Sequence, residues 1–200
     1  MQLCNWLARA AVMALVLGAG AVAHGQTVTF VDINDAVPGR FFDAATSAPD
    51  PVDANRLVIG FNSGLDYRTW KATDFRAAST SFSHTSAMDT LSFVIQAPEG
   101  YYIKSVTYSQ RGTGYVLRTG KAAGTANWVV GDYAADLGVF GTSPVLSSIM
   151  DLSSVRLTRV PVSISNSLFA FSTPLLGAAS VAVTAADVMV ELEALSTDTQ

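Results

Sequence analysis

The chain has 200 residues, half of them hydrophobic and 14% charged, which is enough apolar material for one domain with a core and too little length for two. Sixteen acidic residues stand against twelve basic ones, and the bases form no cluster, so neither nucleic acid nor an anionic membrane is an expected partner. A single cysteine, Cys4, excludes an internal disulfide framework.

Residues 1–25 read as a signal peptide and are set aside before fold reasoning. Arg9 gives a small positive start, and Ala10 to Val22 is an uninterrupted run of apolar residues and glycine. Ala21-Val22-Ala23 and Ala23-His24-Gly25 both offer small residues where a signal peptidase reads. Cleavage after Gly25 leaves Gln26 first, and cleavage after Ala23 is the alternative. The run is short for a membrane-spanning helix. Its removal takes Arg9 and Cys4 and no acid, leaving an acidic, cysteine-free domain over 26–195 and a polar tail at 196–200. The expected location is secreted or periplasmic.

Thr27 to Ile33 is a first strand with Val28 and Phe30 on one face. Asn34 to Asn55, with Pro38, Pro49, Pro51 and four aspartates, reads as a long loop pinned by Phe41 and Phe42. Leu57 to Phe61 is a strand, and Asn62-Ser63-Gly64 a turn. Tyr67 to Phe75 fits an exposed strand or a short helix. Ser79 to Thr85 is polar and β-prone, an edge strand at most.

Met88 to Val130 organises the rest. Leu91, Phe93 and Ile95 alternate with polar neighbours, the period of a strand with one buried face. Pro98-Glu99-Gly100 is a turn, since one residue fixes φ and another permits its positive values. Tyr102, Lys104, Val106 and Tyr108 then share a face, opposite Ile103, Ser105, Thr107 and Ser109. Arg111 to Gly114 reads as a turn, Tyr115 to Thr119 as a short strand closed by Gly120, and Ala126, Trp128 and Val130 as the inward side of another. Turn signals at such spacing belong to an antiparallel sandwich or barrel.

Gly131 to Pro144 reads as a loop holding an apolar piece, Leu137 to Phe140. Val145 to Leu152 offers a helical turn, with Asp151 or Ser153 as cap. Val155 to Ile164 is a strand that Pro161 places at an edge or a bulge. A Ser165-Asn166-Ser167 turn leads to a strand over Leu168 to Ser172, then a loop over Pro174 to Ser180. Val181 to Thr184 and Val188 to Leu195 are strands. The last has Val188, Val190 and Leu192 facing one way and Glu191 and Glu193 the other, so it is expected at the centre of a sheet.

The inventory for catalysis is poor. A zinc site needs three or four converging ligands, and the domain has no cysteine and one histidine, His84, with His24 lying at the cleavage site. His84 sits in a polar run with Ser81, Ser83 and Ser86 rather than beside a nucleophile elbow. Glu99, Glu191 and Glu193 are the only glutamates, and the last two share a strand face, which is not the opposed pair of a glycosidase. Gly112-Thr113-Gly114 starts like a dinucleotide fingerprint, but Leu117 holds the place of the third glycine. The oxygen-rich candidates for calcium are Asp32 and Asn34, followed by Asp43, and then Asp50, Asp53 and Asn55. Ala36 and Val37 stand where an EF-hand needs an oxygen and a glycine, so that motif is rejected. Trp70, beside Arg68 and Lys71, is the candidate platform for a sugar ring, while Trp128 reads as core.

The segments APEGYYIKSVTYSQRGTGY and ASVAVTAADVMVELEAL carry a resemblance. Gly100, Tyr101, Ile103, Val106, Tyr108 and Gly112, then Val181, Val183, Thr184, Asp187, Val188, Val190 and Leu192, match positions in secreted bacterial β-sandwich proteins of the PEP-CTERM type. The resemblance covers the second half of the mature chain. The sorting tag, membrane helix and basic end that define the type are absent from this sequence. It implies an extracellular or surface role and no catalytic residues.

These readings converge on an all-β, jelly-roll-like antiparallel sandwich that is exported and non-catalytic, with a structural or interaction role toward a protein or a polysaccharide. A carbohydrate-binding module, supported by calcium or not, is the alternative.

Overall fold

The computed structural model describes residues 26–36, 41–61, 75–80, 84–118, 120–138, 145–172 and 177–196. Residues 1–25, read above as a signal peptide, Trp70, Asn62-Ser63-Gly64, Phe140 and the end of the polar tail lie outside these residues. Among them run eleven strands: β1 (Thr29–Asp35), β2 (Phe42–Pro49), β3 (Arg56–Phe61), β4 (Phe75–Thr80), β5 (His84–Gln96), β6 (Tyr101–Leu117), β7 (Lys121–Val130), β8 (Tyr133–Leu137), β9 (Val145–Asp151), β10 (Arg159–Phe171) and β11 (Ala178–Ala194). They form an antiparallel β-sandwich. One sheet has the order β1-β5-β10-β7-β8, the other β2-β3-β11-β6-β9, with β4 also paired to β11. The chain changes sheet at most connections, as a jelly-roll-like fold requires.

The inward faces are those that period-two alternation selects. Leu91, Phe93 and Ile95 of β5, Ala126, Trp128 and Val130 of β7, and Val181, Val183, Val188 and Val190 of β11 are all buried. Trp128 is fully enclosed and packs on Tyr108 at 5.9 Å between ring centroids. Each large side chain removed from water contributes about 1.5–3 kcal/mol. β11 is central as expected, with β6 along one flank and β3 and β4 along the other.

Several expected turns are strand. β6 passes straight through Arg111 to Gly114, pairing Gly112 with Val183 and Gly114 with Val181. Gly112 sits beside a bulge in β11 between Val183 and Ala185, where a strand glycine marks disturbed pairing rather than reversal. The chain turns later, through Arg118 at φ 56°. β10 likewise continues through Ser165-Asn166-Ser167, with Asn166 fully buried between Asp89 and Ala126. Val145 to Asp151 is a strand, and the helical turn is displaced to Leu152–Arg156, where Asp151 accepts the Ser153 amide at 2.9 Å. β8 and β2 occupy parts of two expected loops, because neither has enough β-branched residues to announce itself. β11 already begins at Ala178, inside the expected Pro174 to Ser180 loop.

Faces are corrected too. A bulge in β6 pairs Ile103 with Leu192 but Ser105 with Glu191, leaving Lys104 extra. The parity flips there, so Ile103 and Val106 are both in the core. Pro161 lies in an inner strand rather than at an edge. Its carbonyl accepts the Gly131 amide at 2.9 Å, so its nitrogen faces the same flank, where β7 has just ended. The polar run expected at Ser79 to Thr85 is divided between β4 and β5.

The long loop is pinned as expected near Phe41 and Phe42, by a carboxylate. Asp89 is buried on the inward side of β5, and its Oδ2 accepts both the Phe41 and the Phe42 amides at 3.1 Å. Phe42 is fully buried and stacks on Phe61. β2 then bulges between Asp43 and Ala48 over Gly60. A Cβ at Gly60 would lie 2.9 Å from the Thr46 carbonyl carbon, so only glycine admits this approach.

Candidate functional site

The outward face of the six-stranded sheet is assembled by register. Thr107 of β6 lies between Ile149 of β9 and Met189 of β11, and Met189 in turn pairs with Arg56 of β3. One step along, Ser105 lies between Asp151 and Glu191. Side chains with this parity point away from the core, which leaves Ile149 and Met189 in solvent. The turn between β2 and β3 walls one side. The result is an open groove of about 580 Å³ whose lining includes Asn55, Tyr101, Thr107, Ile149, Met189 and Glu191. Gln26, just ahead of β1, lines the same groove as Leu192 near the end of β11.

Lys104 and Glu191 at its rim are paired. Lys104, the bulged residue, donates to Glu191 Oε1 at 2.9 Å and lies 4.0 Å from Glu193. Ser105 donates to the other Glu191 oxygen at 3.2 Å. Lys104 and then Ser105 hold the Glu191 carboxyl below its ordinary range, and Glu191 holds the Lys104 ammonium above its own. Neighbouring Tyr102 is raised by burial and then by Glu193, and its ring carries the Arg156 guanidinium at 5.8 Å.

The calcium candidates are divided between two places. Asp32 and Asn34 lie on β1, where Asp32 adopts φ 56° and the register to β5 shifts. Asn34 Nδ2 donates to the Asp32 carbonyl at 2.7 Å, and the Asp32 carboxylate lies 3.9 Å from Arg159. These two residues border a shallow recess of about 320 Å³ with Ser92, Pro161 and Ser163. Asp50, Asp53 and Asn55 lie in the β2–β3 turn. Asp50 Oδ1 accepts the Val52 amide at 2.8 Å, Asp53 Oδ1 accepts the Asn55 amide at 3.1 Å, and Asn55 Oδ1 accepts the Val28 amide at 2.9 Å. Arg56 spans this turn and the sheet, 3.9 Å from Asp50 and 2.7 Å from Asp187. Its guanidinium supplies the positive charge that a metal would bring. Among the described residues no three histidine, cysteine or carboxylate side chains converge on one point. His84 is exposed at the start of β5, opposite Phe171.

Sequence reasoning did not find the groove residues Ser105, Thr107, Ile149 and Met189. Each is an outward residue beside buried ones, a visible signal, but their meeting depends on the order of three strands, β9, β6 and β11.

No protein family model matches this sequence, and no curated protein does.

Proposed function

We propose that the protein is a non-catalytic, exported structural or interaction protein that works through the outward face of its six-stranded sheet. The observation that supports this most is the state of the groove's charged rim. Lys104 and Glu191 neutralise each other, and each is shifted away from neutral pH, so neither is set to trade a proton there. Export rests on the leader at residues 1–25. The resemblance to PEP-CTERM-type proteins favours a surface or extracellular setting.

A second reading, carbohydrate binding, has its own support. Ser105, Thr107 and Asn55 bring hydroxyl and amide groups to an apolar floor of Ile149 and Met189, a combination suited to rings with one polar and one apolar side. A glycan array and pull-downs on extracellular polysaccharide and protein fractions separate the two. Binding of a protein fraction that Met189→Arg abolishes supports the interaction role, and binding of a glycan with the same sensitivity supports the carbohydrate role. Binding insensitive to Met189→Arg but lost with Trp70→Ala moves the site from Met189 to Trp70. Turnover of any bound polysaccharide overturns the non-catalytic reading.

A further inference from the structure

The end of β6 is unusual for a surface. Tyr115, Val116 and Leu117 are three large apolar residues in a row, each between 41% and 56% exposed, and such a run in water calls for a function. The exposed cations Arg118 and Lys121 follow it. Lys121 and His84 flank Phe171, and Leu117 pairs with Ala178, so these strand ends make up one pole of the sandwich. The described residues of that pole, 75–80, 84–88, 112–118, 120–123, 169–172 and 177–183, include no carboxylate. The groove has the converse charge. Its apolar floor, Ile149 and Met189, is exposed. Asp53 and Glu191 line it, while Asp151 pairs with Ser105 and Glu193 lies near Lys104. Against these four carboxylates stand two cations, Lys104 and Arg156. Arg56 is already answered by Asp50 and Asp187. The excess at the groove is therefore negative.

We propose that the groove of one copy of this chain receives the β6 end of the next copy, head to tail. Arg118 and Lys121 meet the carboxylates, and Tyr115 and Leu117 cover Ile149 and Met189. This rests on the reading of the groove as the interaction face and names its partner. Both kinds of complementarity, apolar and electrostatic, are present within the one sequence. A copy cannot fill its own groove. Thr107 in the groove and Leu117 at the other pole are ten residues apart on β6, roughly 33 Å at the rise of a strand. An apolar patch that fits a pocket elsewhere on the same molecule makes a heterologous contact, which does not close at two copies. Each added copy leaves one groove and one β6 end exposed, so assembly continues past the dimer.

Sedimentation of the mature chain over a range of concentrations tests this. The wild type is expected to exceed twice the monomer mass as concentration rises, and to return toward monomer at high salt, which screens the charges. Two variants block opposite ends. Met189→Arg spoils the groove. Arg118→Asn with Lys121→Glu spoils the β6 end, asparagine being tolerant of the positive φ at 118. Each should keep the wild-type circular-dichroism spectrum and be monomeric alone. Mixed in equal amounts they should form a species of two copies and no larger, because each supplies the end that the other lacks. Should either fail to fold, Ile149→Lys and Leu117→Asp block the same two ends. A wild type that is monomeric throughout, or that stops at two copies, overturns the proposal. So does a mixture that stays monomeric. A monomeric wild type whose groove captures another protein, or a glycan, in a Met189-dependent way overturns this inference alone and leaves the groove's role intact. Assembly lost with the Arg118 variant but kept in both Met189→Arg and Ile149→Lys overturns both.

Discussion

Replacing Asp89 with alanine removes the acceptor that holds β2 to the opposite sheet. Its carboxylate takes the Phe41 and Phe42 amides at 3.1 Å and the Thr90 amide at 2.8 Å from a site only 4% exposed. Hydrogen bonds to a charged group contribute about 1.5–3 kcal/mol each. The two long-range bonds therefore set the cost of Asp89→Ala at roughly 3–6 kcal/mol. At about 2–4 °C per kcal/mol for a domain of this size, the midpoint should fall by roughly 10 °C. Asp89→Asn retains one carbonyl oxygen and should lose about half as much. Urea denaturation followed by circular dichroism measures both, with hydrogen exchange at Phe42 reporting whether β2 loosens first. A cost below about 1 kcal/mol for alanine, or equal costs for alanine and asparagine, would refute the reasoning.

Trp128→Ala should cost about 3–5 kcal/mol, because the ring is fully enclosed against Tyr108; the same denaturation assay reads it. Asn166→Leu should be neutral or stabilising, since among the described residues both buried amide atoms lack a hydrogen-bond partner at good geometry and an apolar replacement ends that cost; a loss above about 2 kcal/mol would show that the amide is satisfied. Stability should decline modestly as pH falls below 4.5, the ordinary glutamate value. The folded-state pKa of Glu191 is depressed by Lys104 and Ser105, so its contribution is present above the unfolded value and lost on protonation. Lys104→Met should flatten that limb of the curve of melting midpoint against pH. The melting midpoint should be the same in millimolar calcium and in chelator, because Arg56 already answers Asp50 and Asp187; a rise with calcium would mean the native state binds it.

Stretches that keep one parity were legible. Leu91 to Ile95, Ala126 to Val130 and Val188 to Leu192 each alternate cleanly, and their inward residues are the core. Parity read from sequence fails at a bulge, where one uncounted residue reverses every later face, as Lys104 does for β6. Turn residues mislead for a related reason. Gly112 and Asn166 are turn formers by propensity, yet Gly112 is held extended by β11 and Asn166 by both β5 and β7. Pro161 looked like an edge marker because its missing donor matters only on the flank it faces. The groove was the least legible part. Ile149, Thr107 and Met189 are far apart in sequence and meet only through the register of β9, β6 and β11.

Gln26 and Leu192 border the same groove, so the polypeptide enters and leaves the sandwich at one pole. A tether joined at Gln26 or just past β11 would therefore emerge beside that groove, and the far pole, where β6 ends, stays clear. Fusions and surface immobilisation will behave asymmetrically: cargo at the ends crowds the groove, whereas cargo inserted after Arg118 does not. A circular permutant opened there, with a short link joining Gln26 to the end of β11, would present the groove unobstructed.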